Sequence, residues 1–371
     1  MYHLPRFLNF RGRPTAELTI DVPPKPSDPE PFIPPDIEDM SPTEPVIPND
    51  LVPVRPYRFS SKRNTWKHVP RIGPEEIRDL LEDDDSSRYP SSVRIITWNL
   101  DFQFDYQEER LLAALRYLEN DVLGCKEGGP PYEPCVICLQ EVHEKVMPVL
   151  LNDRWVKRSF CVTPVRKDKW PEFAVYGNVT LVSKSLRVVK SDILHYGHTD
   201  MWRTGLAAYI MLSEPEPSRE KAVICVVNTH LESLPQGAIA RPRQLELSAR
   251  FLKQADVRGG VVVGDMNPIS PEDAGLAMEV GLRDAWRRGD KDEAGFTWGY
   301  QGHNEKGFPP ARFDKVLYLP RRGYRLDEPE RFGMGAKVEG LEFDGMEVDQ
   351  WISDHYGLST VLRMVARRNS A

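Results

Sequence analysis

Long apolar runs are missing from this chain. No uninterrupted hydrophobic stretch in its 371 residues approaches the roughly 18 residues of a membrane-crossing helix. A helical membrane span is therefore not expected. Cysteine is scarce as well, and five in a chain of this length do not make a disulfide framework. Cys135 and Cys138 form a C-x-x-C, but they lie inside the apolar run Cys135-Val-Ile-Cys-Leu139 with no second pair or histidine nearby. Buried strand cysteines in a reducing compartment are expected there, not a zinc site. Excess positive charge is also lacking. The formal net charge of −7 looks wrong for a nucleic-acid partner until it is located. Residues 25–50 and 75–85 carry −6 each, which leaves the remainder at +5. The acidity belongs to the N-terminal quarter and does not argue against a cleft for anions elsewhere. A secretory leader is not expected, since the first residues lack an apolar stretch of that type. Met1–Thr15 has three arginines and no acid, which fits an organelle presequence, but the default expectation is an intracellular protein, nuclear or cytoplasmic and not secreted.

Proline, by contrast, is abundant at one end. Of 33 prolines, 17 fall within the first 90 residues. Proline excludes helix interiors and central strands, and such segments bury little apolar surface. Residues 1–56 are thus expected to be an extended or disordered tail, open to protein partners. Residues 57–90 read as a docking segment, through Phe59 and Trp66, followed by an acidic helix opened by Pro74. From Val93 the texture changes to short strands alternating with helices. Residues 91–366 are expected to form one catalytic domain, with 367–371 as a C-terminal tail. Strands are read at 93–98, 136–139, 179–182, 206–211, 223–228, 261–263, 313–317 and 358–362, and helices at 108–118, 144–151 and 244–252. Several neighbours are strand–strand, so the sheets are expected to be mixed and not all parallel.

Four polar signatures stand at the borders of these strands: Thr97-Trp98-Asn99 with Asp101, Leu139-Gln140-Glu141, Gly264-Asp265-Met266-Asn267 and Ser353-Asp354-His355. Each alone is ordinary. An exposed Glu after a strand is the base rate, Asp-x-Asn after Gly is often a turn, and Ser-Asp-His is a common helix cap. Together they offer oxygen ligands of the kind magnesium takes, one or two carboxylates plus waters and substrate phosphate. Glu141 is the natural primary carboxylate. Asn99 and Asp101, at period-two spacing, face one side, and Asp265 and Asn267 repeat the pattern. His355 follows Asp354, while Arg312-Phe313-Asp314 precedes another strand, so an Asp–His pair is in reach. His230 sits in Asn228-Thr229-His230-Leu231-Glu232-Ser233, directly after a strand. His195 and His198 are expected in a loop.

Residues 93–364 resemble the endonuclease/exonuclease/phosphatase superfamily, which includes deoxyribonuclease I and the abasic-site endonucleases. The motifs are similar, above all, to the branch that removes peptide adducts from DNA 5′ ends with magnesium. Further matches are His230-Leu-Glu-Ser233, Thr297-Trp298, Arg312-Phe-Asp314 and Ser353-Asp-His-Tyr-Gly-Leu358. The resemblance implies an α/β fold, a four-layer sandwich of two mixed sheets flanked by helices as in deoxyribonuclease I. It implies Glu141 as main ligand of Mg2+, for which Mn2+ can substitute, with Asn99, Asp101 and Asp354 around the metal. Asp265 would activate water, Asn267 would stabilise the pentacoordinate phosphorus, and His355, oriented by Asp314, would meet the phosphoryl charge. His230 and Ser233 would hold the phosphate, and Trp298 and Tyr176 would face the substrate. The implied partner is nucleic acid, DNA 5′ ends in repair, with a monomer acting away from membranes. The chain departs from that pattern at Phe102 where glycine is usual, at Pro268-Ile269-Ser270 where an arginine is usual, and at Tyr356 where tryptophan is usual. All three positions are on the substrate side. A sphingomyelinase-like or inositol-phosphate hydrolase of the same superfamily, or a catalytically silent adaptor, stands as the alternative.

Overall fold

A computed structural model describes residues 19–20, 37, 47–83, 85–125, 128–302 and 307–366. The proposed 367–371 tail and most of the first 46 residues lie outside the described residues.

The strands that carry the site are, in chain order, β1 (Ser92–Asn99), β2 (Cys135–His143), β3 (Tyr176–Ser183), β4 (Arg187–His195), β5 (Thr204–Ser213), β6 (Lys221–His230), β7 (Gly259–Asp265), β8 (Asp314–Tyr318) and β9 (Gly357–Met364). They divide into two sheets. One runs β9-β1-β2-β3, extended beyond β3 by Phe160–Thr163, Tyr57–Ser60 and Thr65–His68; the other runs β8-β7-β6-β5-β4, closed at one edge by Val52–Val54. In each, one parallel pair is flanked by antiparallel partners: β1 with β2, and β6 with β7. The sheets are therefore mixed, as expected.

Their facing sides bury Val93, Ile95, Val136, Cys138, Ala208, Ile210, Val226 and Val263 against one another. The outer face of the β1–β2 sheet packs on α2, after α1 (Pro74–Glu82), where α2 spans Gln107–Tyr117, and on the short helices Met147–Asn152 and Arg154–Ser159. The opposite outer face packs on α1 and α3 (Ala240–Leu252). The result is the four-layer α/β sandwich. In α3, Leu245, Ser248, Ala249 and Leu252 recur at helical spacing and are all buried, the stripe expected of a helix lying on a sheet.

Three expectations need correction. The boundary drawn between residues 56 and 57 cuts through the folded unit: Val52–Val54 pairs with β4, and Tyr57–His68 forms a hairpin on the β3 side. Pro53 hides that strand in the sequence, but an edge strand tolerates a residue without an N–H. Trp66 is fully buried, so the hairpin is core and not a loosely docked segment. His195 ends β4 and does not sit in a loop. Its strand was unreadable because Lys190 and Asp192 interrupt the apolar pattern; the fold satisfies them with Asp256 at 2.9 Å and Arg71 at 2.7 Å. Finally, the helix read at 144–151 is a single 3-10 turn, Glu144–Val146, followed by Met147–Asn152. Pro148 has no N–H to give and is accommodated only in a first turn.

A polar layer ties the two sheets together beneath the rim. Gln140 donates to Asn228 Oδ1 at 2.8 Å, and Asn228 Nδ2 donates to the carbonyls of Leu139 and Val179 at 3.1 and 3.0 Å. Both side chains are fully buried. Asn228→Ala takes the side-chain donor from two buried carbonyls, while Gln140 Nε2 keeps Thr97 Oγ1 and the Cys138 carbonyl, and is expected to lower stability by about 1–3 kcal/mol in urea unfolding. An unchanged midpoint would show that water replaces the amide at no loss.

Candidate active site

Every signature residue reaches one rim. β1, β2, β6 and β7 end there, while β3, β5, β8 and β9 begin there, so the C-terminal ends of the parallel pairs meet the N-terminal ends of their antiparallel neighbours. Register completes the arrangement. His230 pairs with Asp265, and Asp265 with Asp314, so three polar side chains stand in one row across adjacent strands. The sharp exit of β7 requires Gly264: at φ 133° a Cβ there would lie 1.8 Å from the Thr229 carbonyl oxygen. The chain then bends so tightly that Asp101, Glu141 and Asn267 take positive φ, at 52°, 56° and 45°. Left-handed backbone at a glutamate is uncommon and persists where the surroundings over-determine it.

The rim borders a cleft of about 770 Å³. Ten of the twelve residues expected from sequence line it: Asp101, Glu141, Tyr176, His230, Ser233, Asp265, Asn267, Trp298, Asp354 and His355. The other two stand just behind. Asn99 Nδ2 donates to Asp265 Oδ2 at 3.1 Å and lies 3.4 Å from Glu141 Oε1. Asp314 Oδ2 accepts from His355 Nδ1 at 2.8 Å. Trp298 Nε1 donates to Asp354 Oδ2 at 2.9 Å, and its ring stacks on Phe313. Ser233 Oγ donates to Asn267 Oδ1 at 3.1 Å, and Asn267 Nδ2 donates to the Leu231 carbonyl at 3.1 Å, leaving its second N–H for the cleft. Tyr176 is stacked on Phe102 with ring centroids 3.8 Å apart.

Arg203 was not anticipated. It precedes β5 in no recognisable motif, yet it is buried, and its Nη1 lies 2.8 Å from His230 Nδ1. Arginine only donates, so Nδ1 must be the acceptor and the imidazole proton sits on Nε2. That proton points toward Asp265 Oδ2, 3.3 Å away. The guanidinium also lies over the Tyr176 ring, 5.4 Å from its centroid. No signal in the sequence marked Arg203; the structure sets it just after Trp202, whose φ of 55° bends the backbone in front of the strand.

Charge at the rim is unbalanced. Burial, with Arg203 and then His355 beside it, drives His230 well below the usual imidazole range. Burial disfavours a charge on His355 too, but Asp314, Asp354 and Asp265 outweigh it and hold the imidazolium well above that range. Burial pushes Asp101 up to about 8, with Asp354 adding repulsion and Arg110 opposing. Burial likewise lifts Asp265 to about 7, against the pull of His355. Glu141 is raised by burial and by Asp354, with Arg203 opposing. Asp101, Glu141, Asp265, Asp314 and Asp354 outnumber Arg110, Arg203 and His355, and among the described residues the buried Oδ1 atoms of Asp314 and Asp354 have no hydrogen-bond partner. Among the described residues, no three His, Cys, Asp or Glu side chains close into a protein-only cation cage. An open set of crowded carboxylates of this kind suits a hard divalent cation that keeps waters and takes substrate oxygens.

Residues 96–355 match the Endonuclease/Exonuclease/phosphatase family. Among curated relatives, tyrosyl-DNA phosphodiesterase 2 of Gallus gallus is 23% identical over 72% of this chain and 66% of its own length. The Homo sapiens protein of that name is 23% identical over 81% of this chain and 74% of its own length. The chain thus spans about two thirds to three quarters of these relatives. A structure of D. rerio TDP2 complexed with single-strand DNA product aligns with a TM-score of 0.52 at 22% identity, covering 74% of this chain and 99% of that one, a likeness of fold. Among the described residues, no helix is long and apolar enough to cross a membrane. With seven tenths of its length inside the family match, the chain belongs to the Endonuclease/Exonuclease/phosphatase family and is a hydrolase of phosphodiester bonds.

Proposed function

We propose that the chain is a magnesium-dependent phosphodiesterase that frees DNA 5′ ends from a tyrosyl adduct, a repair activity. The observation that carries the reading is the row His230–Asp265–Asp314 with His355 facing it, because it supplies a base and two differently charged imidazoles within one cleft. The names of the relatives favour a tyrosyl-DNA ester as the substrate.

Glu141 is the carboxylate proposed to hold the metal, with Asn99, Asp101 and Asp354 around it. Magnesium, when bound, polarises a phosphoryl oxygen and neutralises developing charge; manganese offers the same hard acid. The remaining work falls to the chain. Asp265, its carboxylate fixed by the Asn267 N–H at 2.9 Å, takes the proton of the attacking water. A carboxylate with a pKa near 7 is suited to that role at neutral pH. As the water oxygen bonds to phosphorus, charge gathers on the equatorial oxygens. The His355 imidazolium, the His230 Nε2–H and the second Asn267 N–H meet it. The P–O bond to the adduct breaks, and the phenolic oxygen leaves with the bonding pair. A phenol of pKa about 10 departs without a strong general acid.

A 5′-phosphotyrosyl oligonucleotide assayed with and without magnesium tests the reading. Cleavage only with the metal, and none of sphingomyelin or inositol phosphates, is the expected result. Preference for either of those substrates would replace it with a lipid or inositol-phosphate hydrolase, and inertness on all three with an adaptor.

The raised carboxylates predict a pH signature. Without metal, the folded chain keeps a proton on Asp101 that the unfolded chain loses near pH 4, so stability falls as pH rises from about 4 to about 8. Magnesium competes with that proton, so its stabilising effect grows with pH over the upper part of the window. Melting curves from pH 5.5 to 8.5 with and without magnesium check both slopes. A metal-induced shift that shrinks as pH rises contradicts the assignment.

A further inference from the structure

Arg241, near the start of α3, is fully buried, yet it does not line the cleft. Arginine carries five N–H bonds in one fixed plane, and all five are used here. Nε and Nη2 each donate to one Asp273 oxygen at 2.8 Å, and Nη2 also donates to Ser270 Oγ at 3.2 Å. Nη1 donates to the carbonyls of Glu232 and Leu234 at 3.0 and 2.9 Å.

These acceptors belong to two separate segments. Glu232 and Leu234 flank Ser233 in the turn after β6. Ser270 and Asp273 cap the short turn Pro271–Gly275 that follows Asn267, and the Ser270 N–H donates to Asp273 Oδ2 at 2.8 Å. Each segment holds one residue in left-handed backbone, Leu234 at φ 64° and Asn267 at φ 45°. Such conformations persist where neighbours over-determine them. The fit is also tight: a Cβ at Gly237 would lie 2.7 Å from Arg241 Nη1 and 2.9 Å from the Glu232 carbonyl oxygen. A buried ion pair is weak evidence of stability, because desolvation offsets much of its attraction. What this one fixes is the distance between two turns.

The direction of the Asn267 amide depends on that distance. Its oxygen accepts from Ser233 Oγ and its nitrogen donates to the Leu231 carbonyl. Sliding one turn against the other would swing the remaining N–H away from the phosphate. Resting on the proposed function, we infer that Arg241 is a positioning residue for the reaction. It locks the Ser233 turn to the Asn267 turn and so aims the free Asn267 N–H at the equatorial phosphoryl oxygens. Charge gathers on those oxygens in the transition state, so losing the aim lowers kcat more than it alters KM.

Arg241→Lys keeps the charge, but an ammonium offers three donors from one atom and cannot span both turns. On the 5′-phosphotyrosyl oligonucleotide with magnesium, kcat is expected to fall about 10- to 100-fold, the scale of a misplacement of roughly 1 Å. KM should stay within about threefold. In an Asn267→Ala background the same change should cost less than about threefold, since no aim is left to lose. An unchanged kcat, a change confined to KM, or the full loss in both backgrounds overturns the positioning role. If Arg241→Lys does not fold, Gly237→Ala takes its place, because the added methyl must displace the guanidinium or the Glu232 carbonyl. It must then lower kcat with the same dependence on Asn267, and a loss independent of Asn267, or none, overturns the role. If the parent cleaves no ester, the proposed function falls, and backbone hydrogen exchange decides whether Arg241 locks the turns. The folded variant should loosen residues 231–235 and 266–270 together while β6 and β7 keep their protection. Loosening of one segment alone, of neither or of the whole domain overturns the lock.

Discussion

Asp265→Asn is expected to lower kcat by about three orders of magnitude while the melting temperature stays level or rises. The amide reproduces the shape of the carboxylate, and its oxygen can still accept the Asn267 N–H. It cannot accept the proton of water, and removing a positioned base loses about 10²–10⁴ in rate. The stability half follows from crowding. Asp265 is buried beside Glu141 and Asp314, and its pKa is lifted to about 7, so the folded state holds the charged form reluctantly. Taking that charge away relieves repulsion, the usual conflict between an active site and stability. Turnover of the phosphotyrosyl oligonucleotide and a thermal melt measure the two halves. Activity within tenfold of the parent would end the assignment of Asp265 as base, and a large drop in melting temperature would mean the residue is structural.

Asp314→Asn carries the second large effect, through His355. The carboxylate accepts from His355 Nδ1 at 2.8 Å and is the leading attraction that holds the imidazolium against burial. An amide offers no charge, and its oxygen can still accept from Nδ1–H, so the one proton of the neutral imidazole stays there. The side chain facing the phosphate then becomes neutral, and its Nε2 turns from donor to acceptor. A fall in kcat of about 10²–10³ is expected, the scale for losing one oxyanion donor. The sign of the pH effect is fixed. The parent's imidazolium is lost only at pH well above the usual histidine range, so the variant's activity should decline at lower pH than the parent's. A histidine NMR titration gives an independent reading: the His355 resonance should titrate within an accessible range in the variant and not in the parent. An unchanged titration would detach Asp314 from His355. His355→Gln, which keeps a donor without charge, separates lost charge from lost position.

Much of the rim was legible because β-strands alternate and end abruptly. Asn99, Glu141, Asp265 and His230 each follow an apolar run, and a polar residue at that border has few places to go except the sheet's edge. The order of the motifs then fixed the superfamily resemblance. Strands broken by charge were not legible. β4 contains Lys190 and Asp192, whose partners Asp256 and Arg71 lie far away in sequence, so their burial could not be foreseen. Val52–Val54 was concealed by its own proline and by a proline-rich neighbourhood, although an edge strand accepts both. Arg203 left no trace, since its importance lies in what it touches.

Local alternation, glycine at the β7 exit and the identity of the side chains at strand ends were set by the sequence alone, because they depend on covalent geometry and on residues within a few positions. The charge states were decided by the tertiary structure. Burial and then Arg203 make His230 neutral, Asp314 keeps His355 charged, and the shared burial of Asp101, Glu141 and Asp265 raises all three. Coulomb energies vary with distance and with the exclusion of water, and both arise only when segments as far apart as Asn99 and His355 are folded onto one rim.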